Sequence, residues 1–387
     1  MEQWNPIQSH DPIPDRVGAV IVGGGIIGMS IAFEMARRGL QVLVLERDGI
    51  GSGASGVSAG MLAPVSEAEH ETSPLARLGL HSLDRYPSFV RAVEDVSGIP
   101  CDLRLEGTLL VARTRDDEAE LLHLQGIQRR LGLVAEWLDA REVLQREPHL
   151  SPRIHGALFA AREGQVDPRA MLRSLHAAVR GLGGRVRTGA PVERIEPGRG
   201  GLVVQGRVGD VRGSVWCEVA VLAAGAWSDA VRHPGPALRV RPVKGQILRL
   251  TGCGLLRHVV RAPDVYLVPR SSGELVVGAT VEERGFDPHP TAGAVSDLLW
   301  AARLLVPGIY DCALQEVAVG FRPATRDALP VIGPTHVPGL YVATGHFRHG
   351  VLLAPATAEL LAETITTGRV HPLLEPFSPA ARVEARP

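Results

Sequence analysis

The stretch VGAVIVGGGIIG, residues 17–28, constrains the fold of this chain more than any other. Its first half is an unbroken apolar run, which predicts a strand buried on both faces, as in parallel sheets. Gly23, Gly25 and Gly28 then fit G-x-G-x-x-G between that strand and a helix. The first glycine permits the tight turn, the second lets backbone approach a pyrophosphate, and the third lets helix and strand pack closely. The helix is IIGMSIAFEMARRG, with Gly39 as its stop, and LQVLVLE is a second apolar strand ending in Glu46. An acid there hydrogen-bonds a ribose hydroxyl and would repel a 2′-phosphate, so the unit predicts a dinucleotide other than NADP. A turn that merely packs would leave Glu46 unexplained. The motif does not separate NAD from FAD.

The segment that follows, GSGASGVSAGMLAP (51–64), is rich in small residues. A plain NAD domain would proceed to another helix here. Small residues at this density let backbone amides line a bulky planar ligand, and Ala59, Met61, Leu62 and Ala63 are too apolar for a surface loop.

Length and charge set the outer bounds. A chain of 387 residues suggests about two domains, and a formal net charge of −1 gives no footprint for nucleic acid or membrane. No apolar run approaches the ~20 residues of a membrane span. Residues 1–16 are polar and proline-rich without a signal-peptide core, and read as a poorly ordered leader on a soluble, cytoplasmic protein. Cys101, Cys217, Cys253 and Cys312 are scattered, with no metal-ligand spacing and no disulfide framework. Lys244 is the only lysine.

Short strand-like runs at 101–113, 201–208, 211–222, 246–250 and 264–280, separated by Gly, Pro and Asp, suit antiparallel sheet. Helical stretches fall at 115–132 and 168–182. Near the end VPGLYVATGH is again a buried strand, and LLAPATAELLAETI a helix. A βαβ start and a strand–turn–helix finish predict one domain assembled from distant segments, with a second inserted into it.

Together VIVGGGIIG (20–28), LERD (45–48), SAGMLAP (58–64), VLAAGAWS (221–228), RPVKGQ (241–246), YLVPR (266–270), LVVGAT (275–280), GFRPATRDALPVIG (320–333) and GHFRHGVLLAPAT (345–357) resemble the FAD-dependent D-amino-acid oxidase family, in its glycine-oxidising, thiamine-biosynthesis branch. The pieces span nearly the whole chain in family order. The resemblance implies an α/β plus α+β fold, a Rossmann-like FAD-binding domain with an inserted antiparallel-sheet substrate domain. The FAD domain would take residues 17–92, 164–235 and 325–387, and the substrate domain 93–163 and 236–324. FAD contacts would come from Gly23, Gly25, Ile26, Ile27 and Gly28 at the turn, and Glu46 and Arg47 at the ribose. Ala54, Ser55, Ala59, Gly60 and Met61 would lie against pyrophosphate and flavin, and Val192 at the adenine. His346, Phe347, Arg348, His349, Gly350, Val351 and Leu352 would cradle the isoalloxazine ring.

Arg322 and Arg348 both follow apolar strands that should be buried, where an unpaired cation is costly. Either could pair internally, Arg322 with Glu316 or Asp327 for example. By resemblance Arg322 grips the substrate carboxylate bidentately, Arg348 is a second substrate-side contact, and Tyr266 hydrogen-bonds the same carboxylate. No side chain stands out as an acid–base catalyst, and His346 and His349 read as positioning residues. His349 replaces the asparagine often found in this flavin loop, and Asp264 and Val281 occupy variable pocket-side positions. Gly320 and Phe321 stand where sarcosine oxidases tether their flavin through cysteine, so the FAD is expected to be non-covalent. No metal is expected.

The implied activity is oxidative deamination of glycine, sarcosine or small D-amino acids, with O2 as acceptor and glyoxylate, ammonia and peroxide as products. Thiazole synthase is the implied partner and a homotetramer the implied assembly. A D-amino-acid dehydrogenase with another acceptor, a sarcosine oxidase-like enzyme and a flavin module that hands an intermediate to its partner remain open.

Overall fold

The computed structural model describes residues 4–66, 74–130 and 132–380. The first three residues of the expected leader, Leu131 in the 115–132 helix, and 67–73 and 381–387 of the expected FAD domain lie outside that set.

Among the described residues the chain forms two eight-stranded sheets and a two-stranded one. In the first large sheet, Arg16–Val22 lies parallel to Val42–Leu45 on one side and to Val211–Leu222 on the other. Arg185–Arg187 continues the sheet beyond Val42–Leu45, while Leu340–Thr344 and Val331–Pro334 continue it beyond Val211–Leu222. Ala19 and Ile21 pack into one core and Val20 and Val22 into another. Strand period two with both faces covered is why the run has no polar alternation.

One covering layer is helical, from Ile26–Arg37, Pro74–Ser97, Pro168–Gly181 and Gly350–Thr367. The other comes from Val192–Gly198 and Gly201–Val208, antiparallel to the first part of Val211–Leu222. That long strand therefore serves both the antiparallel ribbon and the parallel sheet.

The second large sheet runs in the order Ala313–Ala324, Arg241–Thr251, Leu275–Gly278, Val265–Pro269, Val259–Ala262, Thr108–Ala112, Gly156–Ala160, Glu136–Asp139. It is antiparallel apart from one pair, Val259–Ala262 with Thr108–Ala112, which run parallel. The helix Ala292–Leu305 covers it through Leu298, Ala302 and Leu305.

The leader does not hang loose. Trp4 donates its indole N–H to the Gly51 carbonyl, Ile7 bridges to Ile50, and the Asp11 carboxylate accepts from Arg180 and the Val186 amide. Trp4 and Ile7 pack on the helical core, and Ile13 packs on the other face. Burial of those apolar side chains outweighs the disorder that the prolines suggested. Cys253 and Cys312 are joined as a disulfide between adjoining strand ends, a pairing their scattered positions did not reveal. No helix among the described residues is long and apolar enough to cross a membrane.

Candidate active site

A cavity of about 440 Å³ is lined by residues of both large sheets. Its floor is the glycine turn. Gly23 has φ +115°, and a Cβ there would stand 2.4 Å from the Ala223 carbonyl. Gly23, Gly25, Ile26 and Ile27 line the cavity. Gly28 does not: a Cβ on it would meet the Gly23 carbonyl at 2.0 Å, so its part is helix–strand packing alone.

Glu46 enters the cavity directly after its strand, as its position predicted. One carboxylate oxygen accepts from the Gly24 amide at 2.6 Å and the other from the Asp48 amide at 2.9 Å. Burial pushes its pKa up against those two hydrogen bonds, so the carboxylate is fixed in place and sparsely hydrated. Arg47 pairs with Asp48 and lays its guanidinium over the Trp227 ring at 4.3 Å. Val192 lines the same region.

The small-residue segment wraps over the turn. The Ser55 hydroxyl accepts from the Ile26 amide at 2.9 Å and so caps the helix, whose own N-cap Gly25 offers no side chain. Ala54, Ser55, Ala59, Gly60 and Met61 all face the cavity. Two buried arginines hold the segment from behind: Arg169 donates to the Gly56 carbonyl at 2.7 Å and Arg270 to that of Ala59 at 2.6 Å. Arg169 also binds Glu316 bidentately, at 2.9 Å on both oxygens.

The turn 345–349 closes the other side. The Phe347 amide donates to the Pro323 carbonyl at 2.8 Å, with Phe347 at φ +49°. His346 is buried, 3.2 Å from the Thr357 hydroxyl, and burial and then His349 hold its imidazole down to about 3. It is neutral at ordinary pH and works as a brace. His349 is the N-cap of Gly350–Thr367, and Gly350, Val351 and Leu352 line the cavity.

Pro355 lies inside that helix and has no N–H for the carbonyl four residues back. Tyr86 repairs the gap by donating its hydroxyl to the Val351 carbonyl. Ser82 bridges the next position, donating to the Leu352 carbonyl at 2.6 Å and accepting from the Ala356 amide at 3.1 Å.

Arg322 and Tyr266 face the cavity from the second sheet. The Arg322 guanidinium donates to the carbonyl of Thr280 at 2.9 Å and reaches that of Lys244 at 3.5 Å. Neither internal partner weighed from the sequence takes it: Glu316 is held by Arg169, and Asp327 accepts from Thr325 and the Leu329 amide. The Tyr266 ring lies against Gly278, where a Cβ would meet its hydroxyl at 2.4 Å. Arg348 departs from expectation. It lines the cavity but is exposed, with its guanidinium 5.3 Å from the Phe347 ring centroid. Its strand ends at Thr344, and the turn carries it out to solvent. Asp264 and Val281 also line the cavity, and Asp264 pairs with Arg113 at 2.7 Å. Trp227, Gly245 and Phe321 also line the cavity, and nothing in the sequence signalled it for Trp227 or Gly245, whose contacts come from distant segments.

Two helix N-termini, at Ile26 and Gly350, thus open into one cavity with a fixed carboxylate and apolar walls. Each end favours an anionic group. That donor set suits the pyrophosphate and electron-rich ring of FAD, and the glycine turn leaves backbone clear of Cβ atoms where phosphates approach.

Fold and cavity define a dinucleotide-binding protein whose second sheet walls the site. Residues 19–364 match the family model described as DAO, FAD dependent oxidoreductase, and the chain belongs to that FAD-dependent family. It is 34% identical to the glycine oxidase of Bacillus licheniformis over 90% of this chain and 93% of that protein. It is 36% identical to the bifunctional protein ThiO/ThiG of a Nostoc species over 92% of this chain, yet spans only 54% of that relative's length. The crystal structure of glycine oxidase from Geobacillus kaustophilus superposes with a TM-score of 0.87 at 33% identity, covering 94% of this chain and 98% of that one.

Proposed function

We propose that this chain oxidises glycine, and with it small amines such as sarcosine and small D-amino acids, to glyoxylate or the corresponding 2-oxo acid and ammonia. The observation that carries the reading is Arg322. Its guanidinium faces the cavity and, among the described residues, meets the backbone carbonyls of Thr280 and Lys244 and no carboxylate, which leaves it open to an incoming one. A guanidinium matches a carboxylate bidentately, and Tyr266, which lines the same cavity, supplies a hydroxyl. The similarity to glycine oxidases supports the substrate class.

Gly23, Gly25, Ile26 and Ile27 would hold the FAD pyrophosphate, Glu46 and Arg47 the ribose, and Val192 the adenine. Ala54, Ser55, Ala59, Gly60 and Met61 would lie along pyrophosphate and flavin, and His346 to Leu352 at the ring. FAD, when bound, supplies the acceptor for two electrons and passes them to O2, giving peroxide. What the chain contributes is orientation: Arg322 and Tyr266 fix the carboxylate, and the apolar walls exclude water from the reacting carbon. Arg348, on the exposed turn, would meet the substrate from the solvent side. The bifunctional ThiO/ThiG relative supports a further step, in which the imine passes to a thiazole synthase partner. The reading includes a cytoplasmic homo-oligomer.

Aerobic peroxide assays over glycine, sarcosine, D-alanine and D-proline test it. Arg322→Ala should raise KM by about a hundredfold, the loss of a bidentate charged pair. Dye reduction without peroxide would instead indicate a dehydrogenase.

A further inference from the structure

The one lysine of the chain is fully buried in the Arg241–Thr251 strand, beside Gly245. Its ammonium donates to the Asp287 carboxylate at 2.8 Å and to the His289 carbonyl at 2.6 Å. Its backbone exchanges two hydrogen bonds with Glu282, each of 2.9 Å. Two residues on, the buried Gln246 side chain donates to the Glu282 carboxylate at 2.7 Å and accepts from the Thr291 amide at 2.8 Å. Lys244 and Gln246 therefore clamp both legs of the segment 279–291.

That segment meets the cavity at two points. The Thr280 carbonyl takes the Arg322 guanidinium, and Phe286 stacks on Trp227 with centroids 5.0 Å apart, Phe321 lying edge-on to both. Burying an ammonium is costly even when paired, and an apolar side chain of the same length would fill the space. Stability alone therefore does not account for a lysine here. Its hydrogen bond to Asp287, with help from His289, holds that carboxyl well below the usual range, so the Asp287 carboxylate stays ionised across ordinary pH.

We propose that Lys244 is a positioning residue for Arg322: by clamping segment 279–291 it sets the Thr280 carbonyl that aims the guanidinium at the substrate carboxylate. The inference rests on the carboxylate role proposed for Arg322. It assigns the lysine no contact with substrate.

The test uses the purified yellow holoenzyme, titrated with glycolate by calorimetry and assayed with glycine. Lys244→Met should weaken glycolate binding and raise KM for glycine about tenfold, the size of one charge-assisted hydrogen bond, with kcat and FAD content near wild type. Asp287→Ala acts from the partly exposed side of the pair, leaves the buried strand intact and should shift both values the same way. It carries the test if Lys244→Met does not fold. Wild-type glycolate affinity in these variants, with only the melting temperature lowered, would make Lys244 a purely structural residue and overturn the proposal. Arg322→Ala run in parallel separates the two readings: if it too leaves glycolate binding unchanged, the carboxylate role of Arg322 has failed, and this inference with it.

Discussion

The guanidinium of Arg322 lies flat across the backbone of Gly245, so that a Cβ at residue 245 would stand 2.4 Å from Nη1 and 2.7 Å from Cζ. The glycine of RPVKGQ is thus explained by an arginine on the next strand, two residues beyond its own register partner Gly320. Gly245→Ala should displace the guanidinium while leaving its charge in place. KM for glycine is expected to rise about tenfold with kcat less affected, and steady-state kinetics will show the split.

Trp227 carries three contacts: Arg47 above its ring, Phe286 stacked on it and Phe321 edge-on. It also closes over Gly53, where a Cβ would sit 3.3 Å from the indole. Trp227→Ala should weaken FAD retention by roughly tenfold, the loss of a stacked pair and a cation–π contact. Dialysis followed by absorbance of the released flavin measures it.

Tyr86→Phe removes a single oxygen and leaves the Val351 carbonyl without its donor, in a helix that Pro355 has already interrupted. The expected loss is about 1–3 kcal/mol of stability, read from urea unfolding of the holoprotein. The lost bond is to a backbone carbonyl, and Arg322 and Tyr266 are untouched, so KM for glycine should hardly move.

Glu163 is buried beneath residues 65 and 66, accepting from both amides and from the Ser66 hydroxyl, and burial raises its pKa to about 7 from 4.5. Below pH 4.5 folded and unfolded chains both hold this proton, and its contribution to stability is complete. As pH rises toward 7 the unfolded chain releases the proton while the native one keeps it, so stability falls, then levels off. His346 has the opposite slope. Held near 3 from 6.5, it stays neutral in the fold while the unfolded imidazole charges, so stability drops as pH falls through that interval. Between pH 4.5 and 6.5 the two trends oppose each other, so Glu163→Gln, which removes the first, should make unfolding midpoints fall more steeply on acidification than in the wild type.

The flavin is expected to be free of a covalent link. Gly320 and Phe321 occupy the strand where a tether would start, and Gly320 packs against Val57, with 3.1 Å left for a Cβ. Acid precipitation should leave the yellow colour in the supernatant; colour retained in the pellet would falsify this.

Much of the nucleotide half was legible because its signals are local. A glycine turn between apolar strands and an acid after the second can be read without knowing what packs where, and Glu46 stands where that pattern put it. The second sheet was legible as strands but not as topology, since the parallel pairing of Val259–Ala262 with Thr108–Ala112 joins segments about 150 residues apart. Pro74–Ser97 escaped notice because Pro87 interrupts its pattern, although Leu83, Tyr86 and Val90 fall on one buried face. The exposure of Arg348 was not legible either, though it does line the cavity as expected. An arginine after a buried strand suggests burial, but one tight turn suffices to carry it outside. The partners of Arg322 could not be derived at all, because the competition for Glu316 is decided by Arg169, far away in sequence.

Lys244 is buried, and the chain has no other lysine. Amine-selective dyes, and the reactive aldehyde that the proposed chemistry releases, thus find no lysine side chain to modify while the protein is folded. An unfolded chain would betray itself by taking up a label at Lys244.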